Sequence, residues 1–246
     1  MEQLFNIDLK KISTNSKKEF DERKKNLNLF LESGLPNKKD EDWKFTDLNA
    51  IINNNFKNIV NNQEFTFNKR IEIIKDFEHN HIVLVNGSYR SSDFEFEEKE
   101  KIKIESIKSP KINTKYTSNN LYCLNKALTL GGYNLEIQKN YKCKKPIIIY
   151  NYFTSNLDNK IINNSNKIKL HQNSECTLIE YNIDEGCKFI KNTFEFVEIE
   201  NGSILKSIIL QKTKSNGYFY KSISGSQEYN SSFENFILSS GLKFNK

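Results

Sequence analysis

Ile168-Lys169-Leu170-His171-Gln172-Asn173-Ser174-Glu175-Cys176-Thr177-Leu178-Ile179 lines up, residue for residue, with Val197-Glu198-Ile199-Glu200-Asn201-Gly202-Ser203-Ile204-Leu205-Lys206-Ser207-Ile208. Each copy alternates apolar and polar residues, turns on a small polar triplet, and alternates again. A third copy begins at Asn230-Ser231-Ser232-Phe233-Glu234-Asn235-Phe236. The offsets are about 29 and 28 residues, one coil of a β-solenoid, in which each repeat packs on its neighbours. An antiparallel sandwich also has many short strands, but nothing in it demands that interval. The repeat therefore predicts a mainly β protein built on a β-solenoid with a helical cap. It also predicts that Ser174, Ser203 and Ser231 mark equivalent turns. Cys176, Leu205 and Phe233 are then placed on the core, and Ile179 and Ile208 in one interior stack.

Working outward, short strand patterns fill the chain from Gly131 on: 134–138, 146–153, 167–171, 177–183, 188–200, 204–211, 218–223 and 232–238. In Phe194-Glu195-Phe196-Val197-Glu198-Ile199-Glu200 the alternation slips at Phe196-Val197, which predicts a bend or bulge. Upstream the period is mixed. Ser16-Lys17-Lys18-Glu19 fits a capping box. Phe20, Leu27, Phe30 and Leu31 follow at helical spacing, and Gly34 with Pro36 supplies the stop. A second helix starts at Thr46 or Asp47. His81–Val85 reads as a buried strand, Asn86-Gly87 as a tight turn, Lys101–Glu105 as a strand and Ser118–Leu130 as a short helix. The division is a helical and mixed region over 1–130 and a partial β-helix over 131–246.

The 246 residues are 37% apolar and 28% charged, with a formal charge of +6. So low an apolar share suits an elongated or repetitive architecture. Ala occurs only at Ala50 and Ala127 while Asn, Lys and Ile abound, the mark of an AT-rich coding bias. Basic residues are interleaved with acids, without the dense basic stripe that nucleic-acid binding needs. No run of 18 apolar residues exists to cross a membrane. The start has early acids and no apolar h-region, unlike a signal peptide. Cys123, Cys143, Cys176 and Cys187 form no Cys-x-x-Cys, which points to a reducing cytoplasm and not to a zinc ribbon or disulfide scaffold. No glycine-rich nucleotide-binding motif is present, so ATP chemistry would belong to a partner.

Gly34-Leu35-Pro36-Asn37-Lys38-Lys39-Asp40-Glu41-Asp42-Trp43-Lys44-Phe45-Thr46-Asp47-Leu48 is more specific than any period. It resembles the Gly-Leu-Pro…Glu-(Asp)-Trp…Thr signature near the start of the SufD family, subunits of the SUF iron–sulfur cluster assembly machinery. Further similarities follow in order. They are Val83–Tyr89 with its Asn-Gly turn, the Leu-Asn-x-Ala of Leu124–Ala127, Lys145-Pro146-Ile147, Ser174–Glu180, and Ser239-Ser240-Gly241-Leu242, where Leu242 replaces an expected Gly. The related SufB chains share the solenoid but open without this segment. The resemblance implies a helical N-terminal region, a central right-handed parallel β-helix and a C-terminal helical region, in a non-catalytic scaffold, not an enzyme, that pairs with a SufB-like paralogue and a SufC-like ATPase in a SufBCD complex. That complex builds iron–sulfur clusters and is associated with reduced flavin. No cofactor site on this chain follows from it. The signature residues Gly34, Leu35, Pro36, Glu41, Asp42, Trp43 and Thr46 read as structural, with Trp43 packing the helical region. SufD-like chains run longer, so the resemblance also implies C-terminal truncation, with the partner-binding coils and helices beyond residue 246.

Other candidates carry less. His79 and His81 share a strand face, a two-ligand arrangement that nothing completes as a metal site, and a hydrogen-bonded pair is the simpler account. Cys143, Cys176 and Cys187 read as core or surface thiols, not cluster ligands. Glu195, Glu198 and Glu200 invite an acid/base reading, since β-helices also house carbohydrate-active lyases and hydrolases. That alternative needs paired carboxylates on neighbouring coils. One coil earlier stand Lys169 and His171, which favours a solvated strand face. Neither the enzyme nor a nucleic-acid-binding module gains support from the chain's charge or motifs.

Overall fold

The computed structural model describes residues 7–12, 14, 16–56, 58–60, 71–107, 119–212 and 217–246. Two parallel sheets face each other across a coil. One carries β5 (Tyr133–Ile137), β7 (Lys160–Leu170), β9 (Phe189–Ile199), β11 (Tyr218–Gln227) and the short β13 (Phe244–Asn245). The other carries β2 (Asn80–Val85), β6 (Ile147–Phe153), β8 (Glu175–Asp184), β10 (Ile204–Lys212) and β12 (Ser232–Ser240). Sheet alternates with sheet along the chain, giving about four turns of β-solenoid.

The register is the one the repeat predicts. Ile168 pairs with Val197, Cys176 with Leu205, and Leu205 with Phe233. At the corner between sheets the backbone enters the left-handed region at Asn140 (φ 60°), Asn173 (φ 57°), Gly202 (φ 70°) and Asn230 (φ 54°), one residue per coil. Asn is the side-chain-bearing residue that tolerates this conformation best. Gly202 is needed for a second reason, because a Cβ there would lie 2.4 Å from Asn173 Oδ1. The corner serine acts across the coils: Ser203 Oγ accepts from Ser174 N at 3.1 Å and donates to His171 O at 2.8 Å.

The strands ahead of residue 130 belong to the same sheets. β2 runs parallel to β6, and β3 (Ser88–Asp93) folds back on β2 through the Asn86-Gly87 turn. β4 (Ile102–Ser106) pairs antiparallel with β5, and β1 (Asn58–Ile59) adds to β7. Three helices cover the outer face of the β7–β9–β11 sheet: α1 (Lys17–Ser33), α2 (Leu48–Asn55) and α3 (Asn120–Leu128). Their apolar faces meet Ile161, Ile190 and Phe194. Ser16 caps α1 through Oγ to Glu19 N, 3.2 Å. Asp47 and Asn119 cap α2 and α3 in the same way. Within the capping box, Glu19 also pairs with Arg23 at 3.0 Å.

Four readings are corrected. Leu31 is 45% exposed, and the buried face of α1 is Glu19, Arg23, Asn26, Leu27 and Phe30. β7 begins at Lys160, seven residues before the apolar alternation, because Asn163–Asn166 are strand residues under the helices. β9 holds an unbroken register with both neighbours, so no bulge lies at Phe196-Val197. The slip arises because Glu195 points into the coil while Phe194 faces the helices. Ile179 and Ile208 are in register, but on the outer face; Cys176, Leu178, Leu205 and Ile209 face inward. Leu205→Ala should therefore cost about 2–5 kcal/mol, and Ile208→Ala well under half of that. Urea midpoints of the two variants check the inversion.

Candidate functional site: the signature turn and the charged interior of the coil

The signature segment is the hinge between the helices and the coil. Gly34 ends α1 in the left-handed region (φ 71°), its N–H bonded to Phe30 O at 2.7 Å. Leu35 and Pro36 are buried, and Pro36 O accepts from Asn49 Nδ2 of α2 at 3.2 Å. A single 3₁₀ turn, Glu41–Trp43, then drives Trp43 inward. Its ring lies 5.6 Å from Tyr220 of β11 and 6.3 Å from Phe244 of β13, with Lys246 Nζ 4.9 Å over it. Trp43 thus fastens the segment to the coil as well as to the helical region. Glu41 and Asp42 face solvent, and Thr46 N closes the turn on Trp43 O at 2.9 Å. Phe45 is 93% exposed.

Arg23 is the second fastening, and periodicity passed over it. Only 2% exposed, it bonds Glu19 at 3.0 Å and donates from Nη1 to Ala127 O and Thr129 O at 3.0 and 2.9 Å. A cation on the last carbonyls of α3 satisfies acceptors that a helix end leaves open. Beside it, Lys126 donates to Ser165 Oγ at 2.9 Å and lies 5.1 Å over the Tyr122 ring. Burial, with Arg23 adding to it, pulls the Lys126 ammonium down to about 8.

Inside the coil the packing divides. An apolar cluster around Leu135, Ile149, Leu178 and Leu205 fills one end, and the rings of Phe153, Phe189 and Phe219 fill the other. Charge lies between them. Glu180 Oε1 accepts from Lys191 Nζ and Oε2 from Lys221 Nζ, both at 2.7 Å. Lys221 also reaches Glu195 Oε1 at 3.1 Å, and Tyr133 and Asn166 approach Glu195 Oε2 at 3.5 and 3.4 Å. Lys191 lies 5.3 Å over the rings of both Phe153 and Phe219. Two acids and two bases leave the cluster neutral. Burial would raise the Glu180 carboxyl, but the two lysines outweigh it and hold it well below the usual carboxylate range. Lys221, between two carboxylates, is held above the usual lysine value against its burial. Lys191 has one carboxylate partner, and burial lowers it.

The remaining candidates fall into place around this frame. Glu195 faces the interior and is separated from Glu198 and Glu200, so the three form no set. Glu198 meets Lys167 at 2.8 Å and Glu200 meets Lys169 at 3.0 Å, a solvated ladder of ion pairs between coils. His79 Nδ1 meets Phe77 O at 2.9 Å and Nε2 meets Tyr150 OH at 3.0 Å; the His81 ring lies 6.4 Å away. Among the described residues no three His, Cys, Asp or Glu side chains converge as a metal set. Cys187 Sγ donates to Thr154 O at 3.4 Å within the phenylalanine cluster. The enclosed cavity beneath the helices, lined by residues such as Ile52, Leu124 and Tyr218, holds about 20 Å³. That is about the room of a single water.

Two measurements test the electrostatics. Glu180 sits below its unfolded value of about 4.3, so its stabilisation is present above that pH and is lost as pH falls. Urea midpoints of the native chain should drop on acidification from pH 6 to pH 3 more steeply than those of Glu180→Gln. At pH 7 that variant should lose about 3–5 kcal/mol, since it leaves a buried lysine short of a partner. For Lys126 the sign is the same and the window lies higher. Between about 8 and 10.5 the unfolded chain binds the extra proton, so stability rises with pH across that window. In Lys126→Met the rise should be smaller, and midpoints at pH 7.5 and 9.5 in both chains decide it.

No helix among the described residues is long and apolar enough to cross a membrane. Among curated proteins none matches the chain. A family model described as the SufBD protein N-terminal region matches residues 1–149, which takes in the signature turn, all three helices and the first strands of both sheets. With more than half of its length matched, the chain belongs to the SufB/SufD family, and so to the SUF system of iron–sulfur cluster assembly and the complexes that system forms.

Proposed function

We propose that the chain is a SufD-like, non-catalytic scaffold subunit, working in the cytoplasm with a SufB-like paralogue and a SufC-like ATPase. The observation that carries the reading is the signature turn. The Gly-Leu-Pro…Glu-Asp-Trp segment that distinguishes SufD-like from SufB-like openings is built into the joint between helices and coil through Trp43. The interior supports the same reading. Glu180, Lys191, Lys221 and Glu195 are paired with one another inside the coil, an arrangement in keeping with a structural charge cluster. Iron and sulfur are cargo in this scheme, assembled on the complex and passed on. Association has to overcome several kcal/mol of lost rigid-body freedom, so a scaffold needs a broad contact. Along β12, which pairs with β10 on one edge, Phe236, Ile237 and Leu238 are exposed.

The competing reading, a β-helix carbohydrate-active enzyme, predicts product from anionic polysaccharides and no link to clusters. Depleting the chain in its own cell should lower several unrelated iron–sulfur enzymes together, and re-expression should restore them. Cluster enzymes unchanged by depletion would remove the scaffold reading.

A further inference from the structure

The four cysteines are unlinked, and the coil brings two of them together. Lys142 and Glu175 form a parallel bridge, and Cys143 N donates to Glu175 O at 2.8 Å. Cys143 and Cys176 are therefore the next pair in register on adjacent coils. Register partners on parallel strands stand about 4.8 Å apart with side chains on the same face, inside the roughly 4.4–6.8 Å that a disulfide spans between Cα atoms. Cys143 packs on the apolar cluster that contains Cys176.

The surroundings hold this arrangement in place. The Glu97 carboxylate accepts from Lys144 N and Lys145 N at 3.0 Å, from Tyr141 OH at 2.6 Å and from Asn80 Nδ2 at 2.8 Å. It ties the backbone that follows Cys143, and the Tyr141 ring ahead of it, to Asn80 of β2. On its far side Cys176 is backed by Leu205, fully buried. The accessibilities differ: Cys143 is half-buried and Cys176 buried. One thiol is open to a small oxidant, and its partner waits behind it, screened from solvent.

We propose that Cys143 and Cys176 form an oxidant-responsive pair that closes to a disulfide with hydrogen peroxide as two-electron acceptor. Cys143 sulfur attacks the peroxide, the O–O bond breaks, and a sulfenic acid and one water result. Cys176 sulfur then attacks the Cys143 sulfur. The S–S bond forms, the S–O bond breaks, and the departing hydroxide takes the Cys176 proton as a second water. Two thiols and one peroxide become one disulfide and two waters, and a dithiol reductant reverses the change. The division of roles agrees with the Cys176 thiol being pushed well up by the Cys143 thiol beside it and by burial, which keeps it protonated until it resolves the sulfenic acid. The bond would staple two successive coils at the end of the interior that faces the left-handed corners.

The full chain, folded and treated with stoichiometric hydrogen peroxide, should lose two alkylatable thiols on later unfolding. Peptide mapping should return a Cys143–Cys176 cross-link lighter by two hydrogen atoms, with Cys123 and Cys187 alkylated as before. Dithiothreitol should restore all four. In Cys176→Ala the reaction should stop at a dimedone-trappable sulfenic acid on Cys143, and in Cys143→Ser the remaining thiols should stay unoxidised. Wild-type mapping decides the matter even if a variant folds poorly. Cross-links between chains, oxidation of Cys123 or Cys187 as fast as Cys143, or Cys143 passing to sulfinic acid with Cys176 still a thiol would each overturn the proposal.

Discussion

One carboxylate holds the two sheets of the coil in a fixed relation. Glu180 projects from β8 and takes an ammonium on each oxygen, from Lys191 of β9 and Lys221 of β11. A parallel coil satisfies its backbone through ladders that run along the axis, and these ladders say nothing about how one sheet sits across from the other. Apolar packing alone tolerates sliding, because it has no direction. Three charged groups on three strands do have direction, and breaking the set leaves a buried charge uncompensated. The phenylalanine cluster on one side and the aliphatic cluster on the other then pack around a spacing already chosen.

The helices depend on the coil in the same way. Arg23 reaches across to the end of α3, Lys126 reaches down to Ser165 of β7, and Trp43 lies against Tyr220 and Phe244. Asn125 donates to Asn164 O and Asn192 O on successive strands. A cap held only by its apolar stripe would need a wider stripe than these helices have. Polar side chains that reach specific carbonyls substitute for the missing area, and each fixes a position that grease would leave loose.

How far the molecule was legible follows from which constraint each residue answers to. The repeat was readable because coil register needs the same residue class at each step, and Cys176, Leu205 and Phe233 obey it. The caps at Ser16 and Asp47 were readable because capping is local. Glu195 was not, since an acid inside a strand is indistinguishable in sequence from one on its surface, and its inward turn interrupts the apolar alternation just as a bulge would. Arg23 escaped for the same reason. The Cys143–Cys176 contact escaped because the offset there is 33 residues, against 31 along β6 and β8 and 29 between β8 and β10. The extra residues are taken up between Cys143 and Ile147, so the repeat length alone would set Cys176 opposite Ile147.

Asparagine makes the composition itself a physical argument. A coding bias that supplies Asn in place of Gly and Ala costs a globular core, because Asn brings polar atoms that must be satisfied. A solenoid has places to spend them. Each corner needs one residue in the left-handed region, and Asn140, Asn173 and Asn230 fill three of the four, with Asn173 Nδ2 also bonded to Asn140 Oδ1 at 3.1 Å. Along β7 and β9, Asn163 and Asn192 stand in register, and Asn192 Nδ2 donates both to Asn163 Oδ1 at 2.8 Å and to Leu121 O at 3.1 Å. In-register stacking lets the donor of an amide on one coil meet the acceptor of the amide on the next, while Asn163 Nδ2 and Asn192 Oδ1 find no partner among the described residues. The repeat turns a residue that a one-off core excludes into a ladder that ties coils to each other and to the helices above them. So low an apolar fraction is therefore compatible with a well-specified fold, provided that the fold repeats.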